Sequence, residues 1–111
     1  MAKFFQFGTR NVEISFFEAD PITVRLTISD ETDVRFAKGA ELLRRGTESG
    51  DIEARKRLWT EAVEALIGTE NCQSILARSP EKDCFALAEL YRWIVDAYAG
   101  AKVKNLSASA R

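Results

Sequence analysis

LWTEAVEALIGTENCQSILARSPEKDCFALAELYRWIVDAY, running from Leu58 to Tyr98, is the stretch on which the fold turns. Apolar residues recur in it at helical spacing, and its interruptions are residues that end and start helices. It reads as a long helix closing at Gly68, a short helix, and a second long helix opened by Ser79-Pro80-Glu81. Those three supply an N-cap, a proline at the first helical position and an acid in the first turn. In the last helix Cys84, Leu87, Tyr91, Ile94 and Tyr98 fall at alternating intervals of three and four, a seam suited to packing along another helix. Phe85, Leu90, Trp93 and Val95 widen the apolar surface beyond that seam, more than one helix of a small domain needs for its own core.

Upstream, the helix that ends at Gly68 begins near Asp51, with Ile52, Trp59, Ala62, Val63, Leu66 and Ile67 as its inward set. Asp51 with Arg55, and Glu53 with Arg57, are spaced as acid-to-base pairs on an exposed face. Thr69 is the expected cap of the short helix, which carries Cys72, Ile75 and Leu76 inward. An earlier helix follows a cap at Ser29 or Asp30, with Glu31 and Asp33 at the positive end of its dipole. Val34, Ala37, Ala40 and Leu43 form its expected inner stripe with Phe36 on the shoulder, and Gly46 its end. Thr47 to Gly50 is then a polar loop.

The N-terminal part has a different period. Ile22, Val24, Leu26 and Ile28 alternate with Thr23, Arg25, Thr27 and Ser29, the pattern of a strand with one buried and one wet face. Val12, Ile14 and Phe16 alternate with Glu13, Ser15 and Phe17, and Glu18-Ala19-Asp20-Pro21 is the turn between the two. A further aromatic run, Phe4 to Phe7, breaks at Gly8. The expected fold is α+β: a small antiparallel hairpin or meander packed on a bundle of about four helices. Residues 1–100 form one domain, 1–29 its β segment and 30–100 its helical part, with 101–111 a flexible tail.

Composition narrows the function. Of 111 residues 46% are apolar and 30% charged, with a net charge of −1, so no overall field favours nucleic acid or an anionic membrane. There is no histidine, the usual general base and metal ligand. Cys72 and Cys84 are too few for a zinc site and are read as free buried thiols. The opening residues are too short and too soon interrupted for a signal peptide, and no run approaches the ~20 apolar residues of a membrane span. A cytoplasmic protein is the simplest expectation.

Each candidate for chemistry has a plainer reading. Arg44-Arg45 with Arg55-Lys56-Arg57 are spaced to hold phosphate, but read better as a solvated helix face. Glu61 with Glu64, and Glu81 with Asp83, are paired carboxylates without an apolar setting to raise either pKa. Cys84 sits near a helix start but has no base partner. Trp59, Tyr91, Trp93 and Tyr98 are aromatic enough for a ligand pocket, yet stand at core and interface spacing. The expectation is no enzyme, no metal and no cofactor.

Leu66-Ile67-Gly68, the short helix with Ile75-Leu76, Ser79-Pro80-Glu81-Lys82-Asp83 and the aromatic last helix together resemble the tail assembly chaperones of long-tailed phages and their prophages. The resemblance covers residues 12–98 and rests on packing patterns. It implies a non-enzymatic factor that binds the helical tape-measure protein and helps tail-tube subunits assemble around it. The faces of Leu87, Leu90, Tyr91, Trp93, Ile94 and Tyr98 left uncovered by the core are then the expected surface for that partner or for self-association. A structural head–tail or tail-completion protein is the alternative, as is a small interaction domain with some other partner.

Overall fold

The computed structural model describes residues 10–80 and 83–109, with side chains described as far as Lys104. Strand β1 (Asn11–Phe16) pairs antiparallel with β2 (Ile22–Thr27), and helices α1 (Asp30–Glu48), α2 (Ile52–Ile67), α3 (Thr69–Arg78) and α4 (Cys84–Ser109) follow. This is the α+β arrangement the two periods predict. The aromatic run Phe4 to Phe7, Glu81, and Ala110-Arg111 lie outside the described residues.

The hairpin register sets Val12 opposite Leu26, Ile14 opposite Val24 and Phe16 opposite Ile22. Ile14, Phe16, Val24 and Leu26 are buried on the inner face. On the wet face, pairs of complementary groups meet across the strands. Arg25 donates to Glu13, the Ser15 and Thr23 hydroxyls are 3.1 Å apart, and Thr27 donates to Asn11. A two-stranded sheet needs a helical cover to persist. It finds one in α2, α3 and α4, whose Val63, Leu66, Ile67, Cys72, Ile75, Ile94 and Tyr98 complete the core.

Helix α1 departs most from expectation. Ser29 caps it, accepting from the Thr32 amide at 3.2 Å, but the helix runs through Gly46 to Glu48. Val34, Ala37 and Ala40 are exposed, Val34 by 69%, while Thr32, Gly39 and Gly46 are buried. The inner face is therefore one of small residues. A Cβ on Gly39 would lie 2.8 Å from Leu66 Cδ2 and 3.1 Å from the Ala62 carbonyl oxygen. A Cβ on Gly46 would collide with the Trp59 ring at Cδ1. Both glycines serve close approach: α2 presses its larger side chains into the space their side chains leave free.

Two arginines close that antiparallel pair from opposite ends. Arg35 of α1 donates to the Ala65 and Leu66 carbonyls at the C-terminus of α2. Arg55 of α2 donates to the Gly46, Thr47 and Ser49 carbonyls at the C-terminus of α1. Each cation bonds carbonyls at the end of the other helix and sits at that helix's negative pole. Arg55 thus turns to the neighbouring helix end and not to Asp51, whose carboxylate accepts from the Glu53 amide as the N-cap of α2. Trp59 Nε1 adds a bond to the Leu43 carbonyl at 3.0 Å. Ile52, expected inward, is 61% exposed, because it precedes the turn at which α2 meets its neighbours.

Other boundaries move too. Gly68, at φ +91°, ends α2 as expected and also precedes α3 directly, so Thr69 is the first helical residue and not its cap. Ser79 closes α3, and α4 starts at Cys84. Asp83 caps α4, its carboxylate accepting from the Ala86 amide at 2.9 Å and its carbonyl from Leu87. Ser79-Pro80 is therefore connector, not cap. Gly100 does not interrupt α4, and the stretch expected as a tail from residue 101 is helical to Ser109. A contact between α4 and α1 supports that continuation. Tyr98 donates to Asp33 at 2.7 Å, Lys102 pairs with the same carboxylate at 2.9 Å, and the Tyr98 ring lies 4.3 Å from that of Phe36.

Candidate interaction groove

Between the tip of the hairpin, the end of α3 and the first half of α4 lies an open groove of about 580 Å³. Phe16 and Phe17 form one wall, Ile75 and Leu76 the floor beside α3, and Leu90 and Trp93 the wall from α4. Ser15, Ser79 and Glu89 are its polar lining. Helix α3 ends at Arg78 and α4 starts only at Cys84, capped by Asp83, so the groove opens between the end of one helix and the start of the other. Helix α4 then crosses with Leu87 and Ile94 inward, so Leu90 and Trp93, on the adjoining side, face the gap.

Phe17 is the unusual member. Alternation places it on the wet face of β1, but the strand ends at Phe16 and Phe17 takes φ +69°, a conformation rare for a bulky side chain. That turn brings its ring, half-buried, to the groove. Arg78 at the end of α3 holds it there. Its guanidinium lies 4.4 Å from the ring centroid and donates to the Asp20 and Ala19 carbonyls of the same turn. A phenylalanine on the polar side of an alternating strand was the available signal, and nothing in the sequence links it to Arg78.

Of the six residues expected to present a surface, the structure divides three from three. Leu87, Ile94 and Tyr98 are 3%, 0% and 4% exposed and belong to the core. Leu90 and Tyr91 are half-buried, and burial raises the Tyr91 hydroxyl above its ordinary pKa. Trp93 is 58% exposed. Phe85, 80% exposed two turns before it, joins Trp93 in a shallow depression on the outer side of α4 with Ala88, Glu89, Arg92 and Asp96. The candidate surface is accordingly Leu90 and Trp93 with Phe16, Phe17, Leu76 and Phe85.

The remaining candidates disperse. Arg44 is engaged by Glu41 and Glu48 on its own helix, and Arg55 by the α1 carbonyls, so the basic clusters do not converge on one anion site. Asp83 caps α4, while Glu61, exposed, and Glu64, half-buried, stay together in a depression beside Lys38. Cys72 is buried and its thiol is pushed up to about 11, by desolvation first and by Glu64 second, which keeps it protonated and inert. Cys84 is half-buried and not the fully buried thiol expected, because it opens α4 beside the connector. Trp59 packs at Gly46 and Tyr98 at Phe36, so the four aromatics do not share a pocket. Tyr98 is pushed up to about 12 by burial and by its bond to Asp33. Among the described residues no cluster of three or more metal-ligating side chains occurs, and no helix is long and apolar enough to cross a membrane. Compared with models of known protein families, with curated proteins and with solved structures, the chain matches none.

Proposed function

We propose that this protein is a non-enzymatic assembly factor of the kind its sequence resembles, a tail assembly chaperone of a long-tailed phage or prophage acting in the host cytoplasm. The observation that carries the reading is the apolar groove walled by Phe16, Phe17, Leu90 and Trp93. It suits an amphipathic helical segment of a tape-measure protein, laid in by its apolar face. Area buried there contributes roughly 25 cal/mol per Å², offset by the cost of ordering the segment. Because Trp93 is exposed, it can be changed without opening the core.

The test is co-expression with the long, helix-rich tape-measure protein that this reading requires to be encoded beside the gene. The expected result is a co-purifying complex that keeps the partner soluble and is lost in Trp93→Glu, with the circular dichroism of the variant unchanged. A partner equally soluble alone, or a complex indifferent to Trp93→Glu, defeats the reading. A second reading, a structural part of the particle, draws on the two-stranded sheet, to which a neighbour's strand can add. Mature particles separate the two: a chaperone is absent from them and a structural part present.

A further inference from the structure

The outer side of α4 is a second surface, and its residues are arranged with an internal symmetry. The depression there is lined by Phe85, Ala88, Glu89, Arg92, Trp93 and Asp96. These positions lie on one helical face, and all but the half-buried Ala88 are exposed. A two-fold axis crossing the helix between Leu90 and Tyr91 maps the set onto itself. Residue 85 goes to 96, 88 to 93 and 89 to 92. The chemistry is complementary at the two inner exchanges. Glu89 falls opposite Arg92, the bulky Trp93 opposite the small Ala88, and Phe85 opposite Asp96, with no like charges facing.

We infer that this face pairs with the same face of a second copy of the chain, α4 against α4 antiparallel, in a two-fold dimer. An isologous contact requires a patch complementary to itself, and reciprocal Glu89–Arg92 pairs flanked on each side by Trp93 set against Ala88 satisfy that requirement. The net charge of −1 sets up little repulsion between copies. From Phe85 to Asp96 the patch is about 17 Å long at the helical rise. That is small beside the ~800 Å² per partner of a standard interface, so the dimer dissociates on dilution. Trp93 and Glu89 also line the groove, whereas Arg92 does not, so Arg92 is the residue that separates this face from the groove.

Sedimentation equilibrium of the full chain over a wide concentration range tests it. The expected mass rises with concentration from 12.4 kDa towards twice that value. Arg92→Glu sets Glu89 against a like charge on both sides of the two-fold axis and weakens association by about tenfold or more. Glu89→Arg does the same, and the double variant carrying both changes recovers association. Trp93→Ala weakens association, with unchanged circular dichroism showing that the fold is intact. A monomer at every concentration overturns the inference. So does a dimer that tolerates Arg92→Glu, or a double variant no better than the singles.

Discussion

Helices α1 and α2 bury glycines against tryptophan and leucine, whereas α4 leaves a tryptophan and a phenylalanine in solvent. In the first region the small residues lie inside: Gly39 and Gly46 admit Leu66 and Trp59, and arginines tie both ends. In the second, one helix has two unlike faces, with Ile94 fully buried and the adjacent Trp93 58% exposed. Hydrophobicity alone does not separate these roles. Position against a neighbour does, and a residue's size matters as much as its polarity where two helices come close.

The contrast breaks if the two faces of α4 respond alike to truncation. Ile94→Ala should cost about 3–4 kcal/mol in unfolding free energy, since it opens a cavity where nothing is exposed. Gly46→Val should cost about 2–3 kcal/mol by overpacking, because the Trp59 ring must move and the indole bond to Leu43 with it. A stability gain there, from better helix propensity, would show that α1 and α2 have room to separate. Arg35→Met should cost about 1–2 kcal/mol through the loss of its charge-assisted bonds to α2, read as a lower urea midpoint at unchanged slope.

A smaller effect appears at the extremes of pH. The Tyr98 hydroxyl, then Lys102, hold the Asp33 carboxyl below its ordinary value of 3.8. Its contribution is present above that value and is lost as pH falls through the lower folded pKa. Tyr98 moves the other way, from 10.0 to about 12, so its contribution is present below pH 10 and is lost as pH rises towards 12. Tyr98→Phe should flatten the alkaline loss of stability and shift the acid one, measured as urea midpoints across both limbs. Smallest of all, Trp93→Ala should change stability by no more than about 0.5 kcal/mol. A large loss would place Trp93 in the core and remove the difference between the faces.

How far the sequence discloses this arrangement follows from the same contrast. Period two is unambiguous, so the inner set Ile14, Phe16, Val24 and Leu26 is legible, whereas Leu87, Ile94 and Tyr98 read both as a packing seam and as partner surface, and only the structure puts them in the core. The inner face of α1 is not, because Gly39 and Gly46 contribute by having no side chain and give no apolar signal. Val34, Ala37 and Ala40 give that signal and are exposed. Gly46 also looks like a helix end, yet Arg55 supplies an end cap from another helix, which no local pattern contains. Ser79-Pro80 carries an N-cap signature, but Asp83 holds the position because the chain must first clear α3. The groove was half legible: Leu90 and Trp93 are read from α4, while Phe17 needs a left-handed backbone and an arginine from α3.

The reach of the tertiary contacts along the chain has a consequence for the order of folding. The arginine clamps join residues nine and 31 positions apart, whereas Tyr98 meets Asp33 across 65. Loop closure is cheaper for the shorter separations, so α1 and α2 pair early and α4 docks late. During synthesis the α1–α2 pair can therefore close before α4 emerges. Until it does, the inner face of the hairpin lacks Ile94 and Tyr98 as cover. In that interval the hairpin is open to misassembly, with the α1–α2 interface already made.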